Sequence, residues 1–403
     1  MTKSNFIRIV TILCLICAMG PLSTDMYLPS IPAIASDLVT SVPTMQFTVS
    51  IFFMGMGIGQ LIYGPIADAF GRKKVILIGT AIFFLASFCS IFVGSVELFL
   101  LLRLMQALGA AAGVVVINAV MRDIFDGFDF VRAISVTMLT INIAPLVAPT
   151  LGGLIAPFGW RLVFIILSAY AFCLSMIVLF FMRETLAEEN RQIMQPKVIF
   201  RNYFEILCSA KSFGVIVAQM ANGAGMFAFI AGSPYVYMSI YGVSPSYYGL
   251  LFAANIICVA IGTSLNTRLV KRSSPLRVLF GALLFSFTGS VLLVASAHCR
   301  FDSVFSIVVP VIMFICVIGI VGANSTTYVL GLYKNKSGTA SAVMGSLRFA
   351  GGAVAGFILN SFDTGNALPF AYTIFSCALI SLASFWISRI YVSARAKQSS
   401  QGV

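Results

Sequence analysis

The feature that most constrains this chain is a series of long apolar runs separated by short polar segments. Of its 403 residues, 60% are hydrophobic and only 9% are charged. A soluble domain cannot bury that much apolar surface, whereas about 20 apolar residues suffice for a helix to cross a bilayer. The runs lie at 6–24, 46–66, 75–94, 98–121, 133–156, 161–182, 213–238, 247–267, 277–297, 304–331, 338–361 and 367–390. They predict an all-α membrane protein with twelve transmembrane helices, because barrel strands would be shorter and would alternate in polarity.

One longer polar segment divides these runs into two groups of six. It spans 183–212, is rich in Glu, Arg and Lys, and is too short to form a domain. We therefore predict an N-terminal six-helix half at 1–182, a cytoplasmic linker at 183–212 and a C-terminal six-helix half at 213–403.

A weak internal repeat supports this division. The basic turn at 68–74 is similar to 268–277, and the Gly-rich stretch at 141–153 is similar to 345–356, at an offset of about half the chain. Such symmetry is typical of two-halved transporters.

The positive charges predict the orientation in the membrane. The chain has 25 Lys and Arg residues and a net charge of +12. If the N-terminus is cytoplasmic, only Arg161 and Arg300 fall in outer loops and only Arg103 and Arg348 fall inside spans. The positive-inside rule therefore places both termini in the cytoplasm. This distribution explains the net positive charge of the chain, so a nucleic-acid partner is not needed to account for it.

A charged turn between the second and third runs stands out. It reads Gly64-Pro-Ile-Ala-Asp68-Ala-Phe-Gly71-Arg72-Lys73-Lys74. It is too polar to lie in lipid, so it forms a fixed cytoplasmic turn. Asp68 could pair with a cation or a helix N-terminus and stabilise one closed state, or the basic residues could serve topology alone.

Two ionisable residues in the first half point to proton handling. Asp25 is the only acid near the first apolar run, and Arg103 lies inside the fourth run. Ionisable groups at membrane depth are costly and are therefore functional by default. For Asp25 the alternative is a solvated residue at the end of a helix. Gln106 lies one turn after Arg103 and shares its face.

Further polar and aromatic residues within the spans are candidates for a substrate cavity, although simple helix packing explains individual aromatic residues equally well. These candidates are Tyr27, Gln106, Asn118, Asn142, Gln219, Asn222, Met226, Phe227, Asn255, Asn324, Tyr328 and Arg348. The amides suit neutral or weakly charged organic molecules, and Arg348 suits an acid.

The fifth run contains Pro145, Pro149, Gly152 and Gly153. Prolines four residues apart and paired glycines would break a soluble helix. In a membrane bundle they predict a kinked helix with a thin, close-packing face.

These motifs carry a family resemblance along nearly the whole chain. The charged turn resembles the signature of the major facilitator superfamily. The stretches LLRLMQALGAAA and APLVAPTLGG resemble its fourth-span and fifth-span motifs. Together with STDMYLPSIPAI and GTASAVMGSLRF, they resemble the Bcr/CflA drug-resistance transporters.

The resemblance implies a rocker-switch proton antiporter of the bacterial inner membrane, with small molecules, protons and lipid as its partners. It implies that Asp25 is the proton-coupling carboxylate and Arg103 its functional partner. Gly64, Asp68, Gly71, Arg72 and Lys73 would form a cytoplasmic gate. The proton gradient would be the energy source, so no cofactor and no metal are expected, and the protein is expected to be a monomer.

Three functions remain open from the sequence. The first is efflux of drugs or toxic metabolites by proton antiport. The second is a dedicated exporter or importer of one physiological solute, such as a siderophore, peptide or amino acid. The third is a membrane receptor without transport, which the lack of a sizeable polar domain disfavours. We find no nucleophile–base set or phosphate loop, so an enzyme is not expected.

Overall fold

The computed structural model describes residues 3–191, 195–299, 301–333, 336–362 and 365–401. Within these residues, twelve helices are long and apolar enough to cross a membrane, as the sequence predicts. We number these spans α1 to α12 in chain order. Their bounds are Asn5–Asp37, Val42–Phe70, Arg72–Ser90, Val96–Ile124, Gly127–Phe158, Arg161–Phe181, Phe213–Ile240, Pro245–Arg272, Pro275–Cys299, Phe305–Leu332, Gly338–Asn360 and Leu368–Ile390.

Many large apolar side chains point outward from these helices. Phe180, Ile261 and Ile387 are 73%, 62% and 65% exposed. Apolar exposure on this scale fits helices whose outer faces contact lipid.

The α1 span is not one regular helix. An α-helix over Lys3–Asp25 is followed by a turn, a 3₁₀ turn over Leu28–Ser30 and a short helix over Ile31–Asp37. Pro29 is the second residue of the 3₁₀ turn and Pro32 is the second residue of the short helix. In the first turn of a helix a missing N–H removes no helical hydrogen bond. The regular helix therefore ends at its acidic residue.

Two later spans also contain irregular segments. In α7 an α-helix over Phe213–Pro234 continues as a π-helix over Tyr235–Ile240. In α10 two helices, Phe305–Ile315 and Ile318–Leu332, are separated by a short turn. Between α6 and α7, a linker helix occupies Pro196–Cys208.

Packing divides the protein into two compact units, which we describe separately. Unit 1 comprises Met1–Met194 and Ser233–Ile256, and unit 2 comprises Gln195–Gly232 and Ile257–Val403. The end of α7 and the start of α8 thus belong to unit 1. The division of the chain at 183–212 stays a prediction.

In unit 1, α2 and α3 approach α4 through small residues. A Cβ added at Gly55 would lie 2.7 Å from the Cβ of Ala107, and one at Gly59 would collide with Ala111. A Cβ at Gly109 would lie 2.6 Å from main-chain atoms of α3. Larger side chains at these positions would push the helices apart.

The proline–glycine motif of α5 comes close to two other segments of unit 1. The α-helix over Gly127–Ile155 is continuous through both prolines. A Cβ at Gly152 would collide with the carbonyl oxygen of Met26 in the α1 turn, and one at Gly153 would lie 2.6 Å from the carbonyl oxygen of Pro245. The two glycines therefore allow α5 to touch the main chain of α1 on one side and of α8 on the other.

The core of unit 2 is a cluster of buried apolar side chains from α7 and α9 to α12, including Ile216, Leu283, Val321 and Met344. Ile206 of the linker helix is fully buried in the same cluster. Part of the polar segment after α6 is therefore packed against unit 2.

We predict that Gly152→Ala destabilises the protein by about 1–3 kcal/mol, the usual cost of overpacking a close contact. Alanine normally stabilises a helix relative to glycine, so a loss would be due to the contact with Met26. The measurement is thermal unfolding of the detergent-solubilised protein. Gly94→Ala is the control, because an added Cβ there meets nothing within 4 Å. A Gly152→Ala protein that melts at or above the wild-type temperature would contradict this account.

Candidate functional site

Arg103 lies in the interior of α4 and is completely buried. Its Nη1 donates to the main-chain oxygen of Ser23 at 3.1 Å and to Gln106 Oε1 at 2.5 Å. The Gln106 amide in turn donates to Ser87 Oγ of α3 at 2.8 Å. The predicted shared face of Arg103 and Gln106 is therefore the start of a hydrogen-bond network that joins α1, α3 and α4.

Two aromatic rings enclose the rest of the guanidinium group. The Cζ atom of Arg103 lies 4.1 Å from the ring centroid of Tyr27 and 4.7 Å from that of Phe52. Its Nε and Nη2 atoms have no hydrogen-bond partner among the described residues. Ring faces attract a cation most strongly when water is excluded, so they stabilise the charge where hydrogen bonds do not.

Tyr27 is held in this position from its other end. It is fully buried, and its hydroxyl is 2.9 Å from Thr48 Oγ1 of α2. Thr48 also donates to the carbonyl oxygen of Met45 at 2.6 Å. Tyr27, predicted as a cavity residue, is therefore part of the wall that holds Arg103.

Asp25 lies at the end of the first helix and is only 3% exposed. Its Oδ1 atom is buried and has no hydrogen-bond partner within the described part of the chain. The carboxylate and Arg103 interact electrostatically, but they do not form an ion pair within 4.0 Å. The hydrogen bonds and ring contacts of Arg103 are thus made to groups other than the Asp25 carboxyl group.

Two further cavity candidates of unit 1, Asn118 and Asn255, have no hydrogen bond to this network among the described residues. Asn118 is exposed. The side chain of Asn142 lies outside the described residues. Asn255 is fully buried; its Nδ2 donates to the carbonyl oxygen of Leu251 at 2.8 Å, and its Oδ1 has no described partner.

The charged turn after α2 forms an ion-pair cluster at one end of unit 1. Arg72 pairs with Asp68 at 2.5 Å and with Asp123, at the end of α4, at 3.3 Å. Lys73 Nζ donates to the carbonyl oxygen of Leu179 at 2.8 Å. The side chain of Arg72 is only 9% exposed, so water screens these contacts less than it screens ordinary surface pairs.

The predicted gate residues include two glycines with different surroundings. Gly71 has a φ of 103°, a left-handed conformation that favours glycine. A Cβ at Gly64 would be in ordinary contact, 3.9 Å from Val115.

Glu184 completes this cluster, and the sequence reasoning missed its role. Its carboxylate accepts from the main-chain N–H of Arg72 at 2.8 Å and of Lys73 at 3.2 Å. It therefore caps the start of α3, where the free N–H groups and the helix dipole favour an anion. A signal existed, because Glu184 is the first acid after the sixth apolar run.

In unit 2, two predicted candidates of α7 contact a third, Arg348 of α11. Its Nη2 lies 3.6 Å from Met226 Sδ, and its Cζ lies 5.5 Å from the ring centroid of Phe227. Phe227 stacks on Phe349 with ring centroids 5.0 Å apart. A cation, a thioether and two aromatic rings thus meet between α7 and α11.

The remaining candidates of unit 2 are bonded elsewhere or are only partly satisfied. Asn222 Nδ2 lies 3.3 Å from Ser286 Oγ, and Asn324 Nδ2 lies 2.8 Å from Asn266 Oδ1. The hydroxyl of Tyr328 donates to the carbonyl oxygen of Lys211 at 3.3 Å. Gln219 Oε1 is buried without a described partner. The structure therefore separates the predicted cavity set into a group around Arg103, a group around Arg348 and several packing residues.

Twelve apolar helices and charged side chains buried within them are typical of a multi-pass membrane transporter. The model of the Major Facilitator Superfamily matches residues 13–356, and the chain belongs to that superfamily. The predicted resemblance is therefore confirmed.

The chain has close sequence relatives among resistance proteins. It is 32% identical over 385 residues to a bicyclomycin resistance protein homolog of Haemophilus influenzae. This alignment covers 95% of this chain and 96% of the relative. It is 26% identical over 356 residues to multidrug resistance protein D of Escherichia coli, and that alignment covers 88% of this chain and 89% of the relative.

The fold itself matches a solved transporter. The crystal structure of a D-xylose-proton symporter aligns over 95% of this chain and 97% of that one, with a TM-score of 0.72 at 12% identity. The predicted fold class is confirmed: the described residues form twelve apolar helices with the fold of a major facilitator transporter.

We predict that Glu184→Gln destabilises the protein by about 1 kcal/mol, because the variant loses the charged cap at the start of α3. Thermal unfolding in detergent measures the change. Glu188→Gln is the matched control, since the Glu188 side chain is 86% exposed and its ion pair with Arg191 is a surface pair. Equal melting temperatures for wild type and Glu184→Gln would refute the capping role.

We also predict that Tyr27→Leu destabilises the protein by about 1–2 kcal/mol more than Tyr27→Phe. Leucine removes the ring from the buried guanidinium group, whereas phenylalanine keeps the ring and removes the hydroxyl group that bonds Thr48. Melting curves of both variants decide the question, and equal losses would show that the ring does not support the cation.

Proposed function

We propose that this protein exports small organic molecules from the bacterial cytoplasm in exchange for protons, by alternating access. Its relatives carry the names bicyclomycin resistance protein homolog and multidrug resistance protein D, which supports drug or toxic-metabolite efflux. Twelve apolar helices and bacterial relatives support a multi-pass protein of the inner membrane. We further propose that both termini face the cytoplasm, as the positive-inside rule predicts, and that a monomer is the working unit.

The observation that carries this proposal is the environment of Asp25. It is a buried carboxyl group at the end of a broken helix, near a fully buried cation with which it forms no ion pair. The proton affinity of such a group depends on its hydration and on its distance from the cation. A conformational change that alters either would load or release a proton, as the antiport cycle requires.

The energy available is sufficient for accumulation. A charge that crosses the membrane gains about 2.3 kcal/mol per 100 mV. In our proposal Asp25 binds the proton, and Arg103 keeps its charge and sets the electrostatic field at the carboxyl group.

We also propose that the charged turn acts as a cytoplasmic gate. The ion pairs of Arg72 with Asp68 and Asp123 support this role, because such a cluster is stable in one arrangement and must rearrange when neighbouring helices move.

A dedicated exporter of one physiological solute is the second candidate. Arg348 favours it, because a cation between Met226 and Phe227 suits an acidic solute better than a range of lipophilic cations. A deletion strain and an overexpression strain separate the two candidates: changed resistance across a drug panel that includes bicyclomycin supports efflux of drugs, and one missing extracellular metabolite supports the dedicated exporter.

We predict that Asp25→Asn abolishes proton-driven transport. In proteoliposomes with an imposed pH gradient, accumulation of bicyclomycin should fall to the level of empty liposomes, because asparagine cannot carry the proton. Exchange of labelled for unlabelled bicyclomycin without a gradient should continue.

Asp37→Asn is the matched control. Asp37 is the other acid of α1, and it forms a half-exposed surface pair with Arg161 at 2.8 Å. This variant should transport like wild type. Proton-driven accumulation that persists in Asp25→Asn would refute the coupling role of Asp25.

A further inference from the structure

Arg348 lies close to the middle of a helix that is long and apolar enough to span a membrane. It is ten residues after the start of α11 and twelve before its end, in the span Gly338–Asn360. At 1.5 Å per residue, about 15 and 18 Å of helix separate it from the two ends. An ionised side chain at this depth is costly and indicates a function.

The side chain of Arg348 lies against a glycine of α7. A Cβ at Gly223 would lie 2.7 Å from Arg348 Cγ and 3.2 Å from its Nε. Because Gly223 has no side chain, the arginine can extend along α7 to Met226 and Phe227, one turn further on. The position of the guanidinium group is thus set by the packing of two helices.

The protein provides no anion for this charge among the described residues. Each described ion pair involves another cation, and the contacts of Arg348 are a thioether sulfur and an aromatic ring. A thioether is a weak acceptor. From 213 to 390 the sequence has only two acidic residues, Asp302 and Asp363, and both lie between spans. Arg348 as a whole residue is half-buried, so the packed helices do not enclose it as completely as they enclose Arg103.

Arg103 makes the contrast clear. That cation is fully buried, and a main-chain oxygen, an amide and two rings surround it. Arg348 contacts one ring and one sulfur and is half-buried. The first cation is enclosed by oxygen acceptors and ring faces, whereas the second has no oxygen acceptor among the described residues.

We propose that Arg348 binds the carboxylate of a small organic anion whose apolar or aromatic body lies against Met226 and the stacked rings of Phe227 and Phe349. A guanidinium group binds a carboxylate with two parallel hydrogen bonds, and aromatic rings accept an apolar body of many shapes. Lipophilic cations are disfavoured at the same place by charge repulsion. The inference rests on the proposed transport function and names its substrate class as organic acids.

The test is equilibrium binding to the full-length protein in detergent. The probes are benzoate, 2-naphthoate and decanoate, each beside its uncharged primary amide. Wild type should bind at least one carboxylate about tenfold or more tightly than the matching amide, as expected for hydrogen bonds to a charged partner. Arg348→Gln should remove this preference. Arg348→Lys should keep part of it, because lysine keeps the positive charge but lacks the planar group that donates two parallel hydrogen bonds.

Two glycine variants test the geometry. Gly223→Ala should displace the arginine stem and weaken carboxylate binding, whereas Gly322→Ala should not, since an added Cβ there meets nothing within 4 Å. Unchanged binding of the amides and a single monodisperse peak in size exclusion would show that Arg348→Gln is folded.

The proposal is overturned if wild type shows no preference for any of the three carboxylates, or if Arg348→Gln keeps the preference. These outcomes differ from a failure of the export function. A protein that exports bicyclomycin when driven by a proton gradient, but binds the carboxylates no more tightly than their amides, refutes only the anion site. A protein without proton-driven flux that binds 2-naphthoate through Arg348 keeps the anion site and loses the export function.

Discussion

The structure depends on how a cation is stabilised where water cannot reach it. Arg103 keeps its charge in the interior of α4 because α1, α2, α3 and α4 each contribute to its surroundings: a main-chain oxygen, two ring faces and an amide held by a serine. The break after Asp25 is part of this solution, since it brings both Ser23 and Tyr27 to the same guanidinium group. The packing of α1 against α4 and the position of the buried Asp25 carboxyl group thus both depend on the contacts of Arg103.

Close packing makes this arrangement possible. Glycines at 55, 59, 109 and 152 let main chains approach to distances that a Cβ would prevent. In lipid, such contacts replace the hydrophobic driving force that holds soluble helices together. The charged cluster at the end of unit 1 has a different physical basis. Its carboxylates are partly exposed to water, and one of them accepts hydrogen bonds from the N-terminus of α3. There Arg72, Asp68, Asp123 and Glu184 form ion pairs and a helix cap of the kind found in soluble proteins.

The two intramembrane arginines show two uses of the same side chain. Arg103 is enclosed by a main-chain oxygen, an amide and two aromatic rings that the protein supplies. Arg348 has apolar neighbours and no described anion, which is suited to a ligand that brings its own charge. In our proposal the first half of the chain handles the proton, whereas α7 and α11 contribute to substrate recognition. The sequence predicts such an asymmetry, because Asp25 and Arg103 have no ionisable counterparts at the corresponding positions of the second half.

Much of the fold was predictable from the sequence alone, because membrane spans follow from local hydropathy. The twelve helices, the pairing of Arg103 with Gln106 on one face and the charged turn all depend on residues close together in the chain. Only the tertiary structure revealed Ser23, Phe52 and Thr48 around the Arg103 and Tyr27 pair, Glu184 as the cap of α3, and the role of Gly223 in placing Arg348. Ser23 is 80 residues from Arg103, and Glu184 is 112 from Arg72. Hydropathy and spacing determine which segments become helices, whereas the partners of each charge depend on which helix faces meet, and that is decided by the packing of the whole unit.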